Sequence, residues 1–158
     1  MKMPAVRSGK WRWIVPSLAM ILALVAVRGQ ETRTGRAEAE ARHRVFTGLR
    51  ALVHEGCVSR GVQWSGPVTP GRRVLVPLFL FKENDYFLVV APGHGEPALE
   101  LKCEIRDVVG VIVPSTEIRG KDRVVVSVRP KVSGSTYVSL SLPEGADLEQ
   151  FAIGYAYQ

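Results

Sequence analysis

The chain has 158 residues, 46% of them hydrophobic and 8% aromatic, which is enough for one domain with its own core. Its formal charge of +6 invites a polyanion partner, yet five of the 21 basic residues and none of the 15 acidic ones fall within residues 1–29. The remainder carries 16 basic against 15 acidic side chains, a net of +1, which removes the charge argument for a nucleic-acid partner.

Residues 1–29 have the parts of an export signal. Lys2, Arg7, Lys10 and Arg12 form a basic start, Ile14 to Val27 is an uncharged apolar stretch, and Val27-Arg28-Gly29 offers small or short residues where a signal peptidase reads. Cleavage is expected after or near Gly29. The alternative is an uncleaved anchor, although a helix over Ile14–Val27 covers only about 21 Å of a hydrocarbon core about 30 Å thick. Either way the expected location is outside the cytoplasm: periplasm, cell envelope or secreted space.

Residues 30–35 are short and polar, the composition of a flexible start. Residues 36–56 follow as an amphipathic helix with an apolar stripe of Val45, Phe46, Leu49, Leu52 and Val53. Glu38–Arg42 and Glu40–Arg44 are opposite charges at helical spacing, and Gly56 is a stop. The Ala-rich, charged first half suggests that only the second half docks, across an edge or face of a sheet.

From residue 57 to 158 the pattern is one of strands. They are expected at Val58–Trp64, Arg73–Phe81, Tyr86–Ala91, Leu99–Arg106, Val109–Val113, Val124–Arg129, Thr136–Leu142 and Phe151–Tyr157. Turn residues separate them, as at Ser65-Gly66-Pro67 and Ser133-Gly134-Ser135. About eight short strands without intervening helices make the chain mainly β, an antiparallel β-sandwich preceded by one helix.

The second half also carries a resemblance. Asn84-Asp85-Tyr86-Phe87-Leu88-Val89-Val90, Leu99 to Ile105, and Val124 to Pro130 followed by Ser133-Gly134-Ser135-Thr136-Tyr137 lie in one order. On these, residues 72–157 resemble the jelly-roll β-sandwich domains of secreted bacterial proteins, of the pre-peptidase C-terminal type. One extra residue separates Gly134 from Tyr137, and Pro97-Ala98-Leu99-Glu100-Leu101 stands where that family often has an acidic pattern, so no calcium site carries over. The resemblance implies an accessory module that binds or supports.

The residues that carry chemistry are sparse. His43 and His54 share a helix but stand about 16 Å apart, too far to share an ion. His94 lies in a Pro-Gly-His-Gly turn, and Ser65 and Ser133 precede glycines in turns. Glu83, Asp85, Asp107 and Asp122 are turn acids without the facing pair that glycoside hydrolysis needs. No catalytic residue, metal site or cofactor is expected. Cys57 and Cys103 either form one disulfide or are two separate buried thiols. Trp64, Tyr155 and Tyr157 are the candidate ligand-facing aromatics, with core packing as their other explanation.

The expectation is therefore a non-enzymatic exported module whose partner is an envelope protein or a polysaccharide, touching membrane only if the N-terminal segment is retained. A small lectin-like binder of extracellular polysaccharide is the second reading. A hydrolase with a site assembled from distant residues is the third.

Overall fold

The computed structural model describes residues 14–94 and 100–158, with side chains from residue 33 onward. Residues 1–13 of the expected export signal, and residues 95–99, lie outside this set. A helix, α1 (Ile14–His54), precedes eight strands. These are β1 (Val58–Val68), β2 (Arg73–Leu80), β3 (Tyr86–Pro92), β4 (Lys102–Asp107), β5 (Thr116–Arg119), β6 (Val124–Val128), β7 (Gly134–Ser141) and β8 (Glu149–Tyr157). The chain divides into a unit ending at Gly35 and a second unit, Arg36–Gln158. Among the described residues, no helix is long and apolar enough to cross a membrane.

All strand pairing is antiparallel, in a five-stranded sheet of order β1-β8-β3-β6-β5 and a three-stranded sheet of order β2-β7-β4. The pairing is nested: first strand with last, second with seventh, third with sixth. A long hairpin wound on itself gives this order, which is the jelly-roll arrangement. The innermost pair is incomplete. Residues 111–113 begin the return along β4, with Val113 N–H donating to Ile105 O (2.8 Å), Asp107 N–H to Val111 O (2.9 Å) and a bridge from Arg106 to Ile112. Pro114 has no N–H to continue that ladder. The chain crosses there to the other sheet, where β5 pairs with β6.

Period-two alternation sorts the side chains between two cores. Tyr86, Leu88 and Val90 of β3, Val124, Val126 and Val128 of β6, and Phe151 and Ile153 of β8 face the three-stranded sheet. There they meet Val76, Leu78 and Leu80 of β2, Cys103 and Ile105 of β4, and Val138 and Leu140 of β7. The opposite residues, Val89, Ala91, Ala152 and Ala156, lie under the helix with Ala41, Val45 and Leu49. β3 is buried on both faces because it lies between helix and sheet.

The structure corrects three expectations about the elements. First, the helix is continuous through residues 30–35, and its docked stripe is Ala37, Ala41, Val45 and Leu49, with Phe46 and Val53 about half exposed. β8 beneath offers only small residues, Ala152, Gly154 and Ala156, so the helix comes close and Ala37 and Ala41, in the stretch not expected to dock, are buried. Second, β1 runs straight through Ser65-Gly66-Pro67. It is an edge strand, so Pro67 withholds no hydrogen bond from the sheet. Third, residues 109–113 are not a strand of their own. The strand lies at Thr116–Arg119, after Gly110 (φ +84°) and Pro114 have broken the run.

Candidate functional site

The register places three connections at the same end of the sandwich: residues 81–85 between β2 and β3, 108–115 between β4 and β5, and 129–133 between β6 and β7. Leu80 sits opposite Gly134, Asp107 opposite Thr136, Tyr86 opposite Val128, and Thr116 opposite Ser127. This end is apolar. Val108, Val109, Val111 and Ile112 are 51–78% exposed, and Val132 is 77% exposed. Phe79 and Phe81, at the end of β2, are both more than half exposed and meet edge to face at 5.1 Å. Isolated surface apolar residues are ordinary, but a group of this size on adjoining loops marks a contact surface.

The loop that carries four of them is braced. Asp107 Oδ1 accepts the N–H groups of Val109 (3.0 Å) and Val111 (2.8 Å), and Gly110 N–H donates to Asp107 O (3.0 Å). Gly110 supplies the left-handed backbone that the turn needs. Its carbonyl accepts from Arg106 Nη1 at 2.7 Å, and Arg106 is itself held by Glu104 (Nε–Oε2 3.1 Å), which also takes Lys102 Nζ at 2.8 Å. Lys102 and then Arg106 hold the Glu104 carboxyl below its ordinary range. The aliphatic side chains are thus presented on a turn that is already ordered, so a contact made through them loses little backbone freedom.

Of the residues singled out from the sequence, Asp107 braces this turn and Glu83, Asp85 and Ser133 stand on the adjoining connections, whereas the candidate aromatics form no face here. Trp64, Tyr155 and Tyr157 are half-buried and pack against the inner core instead of forming an exposed flat face. Tyr155 and Tyr157 approach Tyr86 with ring centroids 5.9 and 5.8 Å away, and Arg60 lies over Tyr157 while donating to its hydroxyl (3.2 Å). Burial raises the Tyr155 phenol above its ordinary value. Cys57 and Cys103 are free thiols on opposite sides of the five-stranded sheet, Cys57 in the helix-side core and Cys103 in the inner one. The disulfide considered from the sequence is not formed. Burial pushes Cys103 up to about 12, with Glu117 adding to it, and Cys57 is raised by burial and then by Glu55.

His43 and His54 are exposed on the helix. His94 is exposed with Nδ1 3.5 Å from Glu149 Oε1, an oxygen that also accepts N–H groups from Gly93, His94 and Gln150 at 3.0–3.2 Å. Glu149 so placed fastens the chain after β3. Ser65 donates to Glu38 Oε1 (2.6 Å), tying β1 to the helix, and Ser133 Oγ accepts Lys82 N–H (2.9 Å). Glu83 and Asp85 pair with Lys82 (3.7 Å) and Arg129 (3.6 Å), and Asp122 is held ionised by Arg123, bonded at 2.9 and 2.7 Å. Among the described residues, no three His, Cys, Asp or Glu side chains are grouped to hold a metal ion.

The apolar end was missed from the sequence because Val109–Val113 looks like a strand. The signal that separates the two readings is Asp107 two residues before Val109, with Gly110 in the middle and Pro114 after: an Asp-capped turn, then a break. Compared with models of known protein families and with curated proteins, the chain matches none.

Proposed function

We propose that the chain is an exported, non-enzymatic jelly-roll module that docks on a component of the cell envelope or secreted space through its apolar loop end. The observation that carries this reading is the exposed aliphatic side chains of Val108, Val109, Val111 and Ile112 on a turn braced by Asp107, Arg106 and Glu104. The export signal read in residues 1–29 and the resemblance of residues 72–157 to accessory sandwich domains support it. The lectin-like reading has less support, since its three aromatics pack inward.

The test compares the full chain with a Val109→Asp, Val111→Asp variant and with Lys121→Glu, at the opposite end, in recovery of envelope components followed by mass spectrometry. The charged tip is expected to lose components that wild type and Lys121→Glu retain, with unchanged thermal unfolding. Identical recoveries from all three would sink the reading. N-terminal sequencing of the material found outside the cytoplasm tests export and cleavage together: an N-terminus near residue 30 supports removal of the signal, and an intact Met1 refutes it.

A further inference from the structure

We infer that residues 36–54 are a strap that unlatches from the sandwich as a unit, from the end over Gln150, while both sheets stay closed. The inference stands apart from the docking role of the loop end and concerns how the module is held on its N-terminal segment.

The two apolar layers are separate. The core between the sheets is built from Val68, Leu80, Tyr86, Leu101, Phe151 and their neighbours, and it includes no residue of the helix. The helix has a core of its own, in which Ala41, Val45 and Leu49 meet Val89, Ala91, Ala152 and Ala156. Losing the second core therefore leaves the first intact. Opening it also uncovers little apolar area, because β8 presents only Ala152, Gly154 and Ala156 beneath the strap, and hydrophobic stabilisation scales with the area buried.

Gln150 makes the weak point. Ala152 and Ala156 lie on the helix side of β8 and Phe151 and Ile153 on the other, so alternation puts Gln150 on the helix side too. Its backbone carbonyl accepts Gly93 N–H at 2.7 Å, and Gly93 is the residue against which the Ala37 carbonyl rests. Gln150 is 5% exposed, and its Oε1 has no hydrogen-bond partner among the described residues. A buried acceptor without a donor regains hydration when the layer opens, so it favours the open state.

The polar ties across the layer are slight. Glu38 Oε1 accepts the Ser65 hydroxyl at 2.6 Å. Arg44 Nη1 reaches Pro92 O at 3.3 Å, and Arg123 Nη1 reaches the Arg44 carbonyl at 3.5 Å, the long end of the hydrogen-bond range. Once unlatched, the segment is a tether between the N-terminal segment and β1, spanning about 28 Å as a helix at about 1.5 Å per residue. It also frays, since short helices without tertiary packing are marginal in water.

Hydrogen exchange of the full chain, read by mass spectrometry without denaturant, tests this. Peptides from residues 37–54 are expected to exchange through a shared opening, at least about tenfold faster than those from β3, β6 and β7. Gly93→Ala drives a carbon into the Ala37 backbone and should speed the helix peptides by about tenfold more, leaving the strands as protected as before. Gln150→Met keeps the volume, removes the lone acceptor, and should slow the helix peptides alone. Equal exchange of helix and strands in wild type would show one cooperative unit and overturn the strap. So would strand protection that falls in step with the helix in Gly93→Ala, or a Gly93→Ala chain that does not fold. Unchanged or faster helix exchange in Gln150→Met would overturn the latch at Gln150 and the inference with it.

Discussion

Gly93 and Gly154 show how one missing carbon positions the helix. A Cβ on Gly154 would stand 2.6 Å from Gly61 O and 2.9 Å from Leu49 and Val45, and a Cβ on Gly93 would run into the Ala37 carbonyl. The first clash involves backbone and two packed side chains, so little can yield. Gly154→Ala is expected to cost about 1–3 kcal/mol in urea unfolding, as overpacking in a dense core does, with near-unchanged far-UV signal. Glu104 gives the residue scale its pH dependence. Its carboxyl is held low in the folded state, so its contribution is present above the ordinary carboxylate range and is lost as pH falls below that range and through the lowered folded value. The urea midpoint of Glu104→Gln should therefore lie below wild type at pH 7, and the gap should close toward pH 3. A gap that persists at low pH would show that the ion pairs with Lys102 and Arg106 are not its cause.

Among the elements, the edges of the two sheets are each closed to a further strand in a different way. β1 carries irregularities between Ser59 and Trp64 with Gly61 left-handed, β5 has only four residues, and β4 is shadowed by residues 111–113. β2 is the exposed case, an edge strand with Leu75 and Phe79 turned outward. Pro77 sits at its middle opposite Tyr137, where its nitrogen must face the free edge because it has no hydrogen for the ladder. Pro77→Val restores that donor and should raise self-association, visible as concentration-dependent sedimentation, while leaving the monomer folded. A variant that stays monomeric at high concentration would show that Pro77 is not the guard. The same elements show what could be read in the sequence. Val124–Val128 alternates in burial and Tyr137–Leu142 alternates in sequence, and both strands fell where expected. Of the expected helix stripe Val45, Leu49 and Leu52 dock, while Phe46 and Val53 stay exposed and Ala37 and Ala41 take part because Ala152, Gly154 and Ala156 let the helix come close, a fact set by tertiary contact. The loop end was misread for a related reason: Val and Ile favour strands locally, and only Asp107, Gly110 and Pro114 tell otherwise.

For the molecule as a whole, stability comes from two apolar layers without a covalent clamp. Cys57 and Cys103 sit in different layers, so reductant has nothing to open. The melting temperature should be the same with and without dithiothreitol, and neither thiol should react with a small disulfide reagent until the chain unfolds, since burial raises both. A reductant-dependent transition would contradict the separation of the two thiols.

The pairing of β1 with β8 has a further consequence, one of timing. Residues 58–68 find their sheet partner only at residues 149–157, and β3 also depends on β8. Contacts between distant parts of a chain are slow to form, because the intervening loop must close before any of them is made. A chain emerging N-terminus first, from a ribosome or through a membrane, therefore cannot close its larger sheet until its last strand has arrived. It remains threadable until then, which is the property a translocated polypeptide requires. Deleting Glu149–Gln158 should abolish cooperative unfolding altogether and not merely lower the midpoint, a result that calorimetry would show directly. A truncated chain that still melts in one sharp transition would mean that the sandwich closes without its final strand.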